Sequence, residues 1–350
     1  MMKRVAVTAA CLAGTAATGL FASPANAVGE THIVRSGQSI QAAVDAARPG
    51  DTVLVMPGTY EGSVRVTTSD VTIRGTDADA TVLTPAAQPA AETCAAQTDV
   101  GMCVAGADRV RIESLTVTGF ARYGVFASDT DELAVRHVHA TQNAQYGIGV
   151  EMSTRSRLTE NHATGNGQAG ILLANTVAEE SGATDTRGTE ISGNYLNQNH
   201  QGVVVRRVRN VTVESNQVTG NCAGVMLVGD ENTPQAGDIR VTNNTVTANN
   251  ASCAATDRLP AVQGAGIVLT GVANSTLTHN TVNDNVGAST MSGGIVLFPS
   301  IVGTPNRDNT VQANNLRGNG PADLADNDTA GVNNTFNSNT CQVSVPAGRC

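Results

Sequence analysis

Residues 147–173 read GIGVEMSTRSRLTENHATGNGQAGILL. The segment opens and closes on the same motif, a glycine followed by a short apolar strand, with Gly147 and Gly170 lying 23 residues apart. Working outward, the motif recurs at Gly101, Gly124, Gly202, Gly224, Gly266 and Gly294, in GVFA, GVVV, GVML and two copies of GIVL among others. A unit of this length has too few apolar residues to fold alone, so the period predicts a solenoid in which neighbouring turns bury one another.

A second pattern runs in phase with the first. Ile112, Val135 and Leu158 follow their glycines by eleven residues, and from Leu158 onward an asparagine occupies a fixed place: Asn161, Asn194, Asn216, Asn244, Asn280, Asn314 and Asn339. Five residues further lies another column, Asn143, Asn166, Asn199, Asn221, Asn249, Asn285 and Asn319. Asparagine tolerates left-handed backbone and its amide can bond to an identical amide one turn away, which suits stacked bends. Two asparagine columns and one glycine column predict three bends per turn and three parallel sheets.

The repeats resemble the right-handed parallel β-helix of the pectate lyase-like superfamily, in its secreted bacterial form. Ser39–Gly62, SIQAAVDAARPGDTVLVMPGTYEG, is similar to the start of such proteins. There Ser39 would cap a short helix, with Ile40, Ala43, Val44 and Ala47 plugging the first coil. The reading is one all-β domain over 28–350, with a cap at about 36–50, coils over about 51–340 and a tail at 341–350.

Lys3 and Arg4, an apolar run to Phe21 and the small-x-small Ala25-Asn26-Ala27 form a signal-peptide pattern over 1–27, which predicts secretion. Thr8-Ala9-Ala10 is a poor lipobox before Cys11. No later apolar segment has the ~20 residues needed to span a bilayer. The six remaining cysteines are an even set in an exported chain. The repeat register predicts Cys222–Cys253, and local closure predicts Cys94–Cys103 and Cys341–Cys350.

The formal charge is −9, and loss of Lys3 and Arg4 with the signal peptide takes it to −11. That argues against nucleic acid as a partner. Lys3 is the only lysine, so a lysine base is excluded from the processed chain, and without tryptophan the usual indole platform for sugars is missing.

The resemblance implies chemistry on an outward sheet face. By side-chain alternation, the third residue of each glycine-led strand points outward: Cys103, Phe126, Gly149, Leu172, Val204, Met226, Val268 and Val296. This apolar column is either covered by the protein's own loops or exposed for docking. The superfamily's Asn-Thr-Asp, Asp-Asp, His-Gly, Arg-Ile-Lys and Asp-Pro-His-Asp signatures are absent, so no catalytic residue carries over.

One position further along lies Ser128, Glu151, Ala174, Arg206, Val228, Thr270 and Phe298, beside Arg207. Glu151, Arg206 and Arg207 are the catalytic candidates, by the logic that a lyase pairs an arginine base with carboxylates that hold Ca²⁺. Ca²⁺ is the one cofactor this pattern would accommodate, and none is required. Glu179, Glu180, Asp230 and Glu231 on neighbouring insertions, with Tyr123 and Tyr146 before their glycines, are the substrate-contact candidates. The competing reading is solvated charge, with the arginines paired to those acids. His137 above Glu160, and His162 in register with His139 and Tyr195, form a second catalytic candidate or a surface ladder. The function expected is binding or modification of extracellular polysaccharide by a monomer, more in the manner of a lyase or epimerase than a hydrolase if it is catalytic. The alternative is a noncatalytic surface-associated module that holds a glycan or protein.

Overall fold

The computed structural model describes residues 29–87, 94–95, 97–176, 181–256 and 259–350. The proposed signal peptide, Glu179 and Glu180 lie outside these. Apolar residues recurring at the same place in each turn form a right-handed parallel β-helix of three sheets. Sheet 1 has 12 strands, sheet 2 has 10 and sheet 3 has 11. One coil is represented by Arg157–Thr159 in sheet 1, His162–Thr164 in sheet 2 and Ala169–Ala174 in sheet 3.

Because adjacent strands pair in parallel register, like residues stack. The inward residues Val135, Leu158 and Ile191 line sheet 1, Ala140, Ala163 and Leu196 line sheet 2, and Val125, Ile148 and Ile171 line sheet 3; all are fully buried. At the N-terminal end the helix α1 (Ile40–Ala46) closes the stack. Its cap Ser39 accepts a hydrogen bond from Ala42 N at 3.2 Å, and Ile40, Val44 and Ala47 are buried against the core. Sheet 1 begins before this helix, at Thr31–Val34. There Asp51 accepts hydrogen bonds from His32, Arg48 N and Glu30 N, which bring its pKa down to about 2.

The asparagine columns work differently from the reading that assigned them the left-handed bends. The left-handed residue is the one before each asparagine: Glu160, Ser215, Asn243, His279, Ala313 and Ser338 at the first bend, with His137 in the same place before Val138, and Gln142, Gln198, Ala248 and Asp284 among those at the second. The asparagine that follows turns inward. Asn161 Nδ2 donates to Val135 O at 2.9 Å and to Asn194 Oδ1 at 3.0 Å, while its own Oδ1 accepts from Val138 N at 3.0 Å. The same bonds continue through Asn194, Asn216, Asn244, Asn280, Asn314 and Asn339. Each amide satisfies backbone groups that a tight bend would otherwise leave buried and unpaired.

The glycine column is likewise not a bend. Gly124 is the second residue of the strand Tyr123–Ser128, and an added Cβ would stand 2.7 Å from Asn143 Nδ2 and 2.8 Å from Gly147 O. Glycine recurs because the ladder and the next coil leave no room for a side chain.

All three expected disulfides are present, with Cα–Cα separations of 5.8 Å for Cys94–Cys103, 5.9 Å for Cys222–Cys253 and 5.2 Å for Cys341–Cys350. The last ties the tail beside the final coil, where the Arg349 guanidinium lies 4.9 Å from the Phe336 ring centre.

Candidate functional site

The outward apolar column of sheet 3 is covered by the protein's own segments. Phe126 and Cys103 pack with Cys94, Val100 and Tyr123. Farther along, Met226, Val268 and Val296 lie beneath Val262, Leu259 and Met291, with the Cys222–Cys253 disulfide at the edge. Tyr123 and Tyr146 stack at 4.9 Å as the register required. Tyr123 is buried, and its ring occupies the space above Gly149, where a Cβ would be 2.5 Å from Cε1.

The column bearing Glu151 and Arg206 is in the expected register, with Ala174 between them. Glu151 is 4% exposed and Arg207 2%. Arg207 adopts left-handed backbone, pairs with Asp230 at 3.3 Å and donates to Thr176 O at 3.2 Å. It therefore ties the insertion after sheet 3 to the next one, the competing reading in which the arginines pair with nearby acids. Glu231 is exposed. With Asp230 committed to Arg207, no group of three or more His, Cys, Asp or Glu side chains among the described residues is gathered for a metal ion.

The histidines are drawn together at the bend between sheets 1 and 2. His139 and His162 stack at 4.6 Å and 13°, with Tyr195 tilted against His162 at 5.6 Å. His137 and Glu160 occupy the left-handed bend position in successive coils, which aims both outward; His137 Nε2 lies 2.9 Å from Glu160 Oε2. Arg136 Nε binds the same oxygen at 2.8 Å. That hydrogen bond, against some desolvation, holds the Glu160 pKa below the usual range, helped by the charges of Arg136 and His137. Asp79 Oδ1 lies 3.2 Å from His139 Nδ1. Together Thr76–Asp79, Ser114, His137, His139, Glu160 and His162 line a cavity of 330 Å³.

Burial, and then the charge of His139, lowers the His162 pKa from its ordinary 6.5, with Asp79 opposing. A depressed imidazole pKa means the unfolded chain binds the proton more readily, so this contribution is complete above 6.5 and is lost as pH falls from that value through the lowered folded-state pKa. We expect the melting temperature to fall as pH drops through this range and the fall to be shallower in His162→Gln. Identical pH profiles for the two proteins in differential scanning fluorimetry would refute this.

The structure adds a region that the sequence reading passed over. Across the bend from the histidines, a groove of 630 Å³ crosses sheet 1, sharing Glu160 with the first cavity. Its outward residues stack as Arg111, Ala134 and Arg157 in one column, which Glu190 continues beyond the lining, and as Glu113, Arg136, Thr159, Ser192 and Glu214 in the next. Arg109 and Glu132 stand at its edge, where Arg109 pairs with Asp70 at 2.5 Å. Five strands at ~4.8 Å spacing make it about 19 Å long. The sequence signal was available: Arg111, Arg136 and Arg157 are separated by nearly one 23-residue coil, alternating between two outward positions.

A family model described as right handed beta helix region matches residues 60–180 and 179–298. No curated protein matches the chain. Among solved structures, an alginate lyase from Paenibacillus sp. str. FPU-7 is similar at 15% identity, over 90% of this chain and 99% of that one, with a TM-score of 0.55. Pectate lyase Pel9A is similar at 14% identity, over 91% of this chain and 78% of that one, with a TM-score of 0.52. The catalytic domain of a GH87 alpha-1,3-glucanase in complex with nigerose is similar at 11% identity, over 94% and 67%, with a TM-score of 0.57. At these identities the likeness is one of fold.

Proposed function

We propose, because this chain belongs to the right-handed β-helix family, that it is an extracellular protein that binds polysaccharide, with the sugar chain lying along the helix axis in the sheet 1 groove. The observation that carries this reading is the contrast between two faces. Sheet 3 is closed by apolar cover, whereas sheet 1 offers an open 630 Å³ groove rimmed by arginines and carboxylates. Polar, partly charged grooves suit hydroxyl-rich ligands, whose many weak hydrogen bonds sum along the chain. The similar structures, an alginate lyase, a pectate lyase and a glucanase, favour a glycan over a protein ligand. Three disulfides fit an oxidising extracellular setting. No helix among the described residues is long and apolar enough to cross a membrane.

A catalytic reading has one observation in its favour. Imidazole and carboxylate groups are paired beside the groove, at His137–Glu160 and His139–Asp79, an arrangement competent for proton transfer. The test is a glycan panel of alginate, polygalacturonate, hyaluronan, κ-carrageenan and α-1,3-glucan, scored by affinity electrophoresis for binding and by ultraviolet absorbance and reducing ends for product, with and without Ca²⁺. We expect retardation on at least one glycan without product. Product that is abolished in a His137→Ala/His139→Ala variant would establish catalysis at the bend, and no retardation on any glycan would overturn the binding reading.

A further inference from the structure

The arginines in and around the sheet 1 groove fall into two classes. Arg109 pairs with Asp70, Arg136 with Glu160, and Arg155 with Asp131 and Glu132. Arg111 and Arg157 form no ion pair among the described residues, although the chain carries 30 acidic residues against 21 basic ones and Glu113 and Glu190 stand in neighbouring places. Both are exposed. They flank Ala134 in one column, so their stems rise two strand spacings apart, about 10 Å, from either side of a single methyl group. A guanidinium presents a planar fork of donors that matches a carboxylate or sulfate and costs little to desolvate.

We propose that Arg111 and Arg157 form a two-point clamp for a polysaccharide carrying one anionic group on every second sugar, with the intervening uncharged sugar seated over Ala134. This rests on the reading of the groove as a polysaccharide site. The spacing of about 10 Å suits alternate sugars of an extended chain better than successive ones. An anionic group on the intervening sugar would find no free cation over Ala134, because Arg136 is already neutralised by Glu160. It would also lie one strand away from the acidic Glu113, the register partner of Arg136 in the adjoining column. A continuous polyanion is thereby disfavoured, as is a neutral chain that leaves both guanidinium groups without partners. Selectivity of this kind comes from repulsive placement as much as from attraction.

The experiment uses the full chain and four polymers of matched length in affinity electrophoresis and calorimetry. They are hyaluronan, with a carboxylate on alternate sugars; κ-carrageenan, with a sulfate on alternate sugars; polygalacturonate, charged at every sugar; and a neutral α-glucan. We expect one or both alternating polymers to bind at least about tenfold more tightly than the others, and each of Arg111→Ala and Arg157→Ala to cost about tenfold. The two alternating polymers tell carboxylate from sulfate. Arg240→Ala, on the same sheet three strands beyond Arg157 and outside the groove, should bind as the parent does. Circular dichroism of the exposed-site variants guards against unfolding, and Arg157→Glu, which reverses the charge, should abolish binding. Equal or tighter binding of polygalacturonate overturns the alternation. A neutral glucan bound alike by parent and Arg111→Ala/Arg157→Ala overturns the clamp and leaves the polysaccharide reading standing. Retention of none of the four polymers, nor of any glycan in the wider panel, overturns both.

Discussion

Replacing Asn194 with alanine is expected to destabilise the protein by about 3–5 kcal/mol, among the largest costs of any single side-chain truncation in the molecule. The residue is 1% exposed and uses its whole amide. Nδ2 donates to Leu158 O and to Asn216 Oδ1, both at 2.9 Å, and Oδ1 accepts from Asn161 N at 2.9 Å and Asn161 Nδ2 at 3.0 Å. Alanine removes four bonds: Asn161 Nδ2 keeps Val135 O and Asn216 Oδ1 keeps the backbone N of residue 194, but the buried Asn161 N and Leu158 O lose their side-chain partner, each at about 1–3 kcal/mol, relieved only where water can enter. The packing loss is minor beside this. Urea unfolding should show a lower midpoint. Asn197→Ala, whose half-buried amide donates to the Tyr195 hydroxyl at 3.2 Å, should change stability by only about 0.5 kcal/mol. Equal effects at the two positions would mean that the ladder is a by-product of stacking, not a support for it.

Gly202→Ala should cost about 3 kcal/mol or more, although it adds only a methyl group and the backbone there is not left-handed. A Cβ at this position would stand 2.3 Å from Val218 Cγ1 and 2.7 Å from Gly224 O. The valine could rotate only into a filled core, and the carbonyl belongs to the next coil, so relief requires separating two turns of the helix. Gly188 provides the opposite case. Its φ of +90° disfavours a side chain, but nothing lies within 4 Å of the added carbon, so Gly188→Ala should cost about 1–2 kcal/mol through backbone strain alone. Thermal unfolding of both variants checks the ordering, and a larger loss at Gly188 would refute the steric argument.

Much of the architecture is legible in the sequence because a solenoid repeats its physics. The inward apolar residues, both asparagine columns, the Cys222–Cys253 disulfide and the Tyr123–Tyr146 and His139–His162 stacks all follow from register. Two things were not legible. Glu151 and Arg207 read as surface residues but are buried; Arg207 is held by Asp230 and Thr176 on insertions of irregular length, a conformation that periodicity does not encode. The arginine groove was hidden for a different reason. A charged residue at an outward strand position looks like ordinary solvated surface until the ion pairs are known, and only then do Arg111 and Arg157 separate from Arg109 and Arg136.

The ladders also determine where this protein can change length. Partners within either ladder are separated by 33, 22, 28, 36 and 34 residues in successive coils, yet five residues always divide the two columns. Every insertion has entered on the flanks of sheet 3, and none between the asparagines. The segment Asn161–Asn166 and its counterparts therefore act as a fixed gauge, holding successive turns in alignment while the opposite side varies. For an engineer, those flanks are sites for grafting new loops, and the five-residue gauge is the part of the repeat that should be copied unaltered.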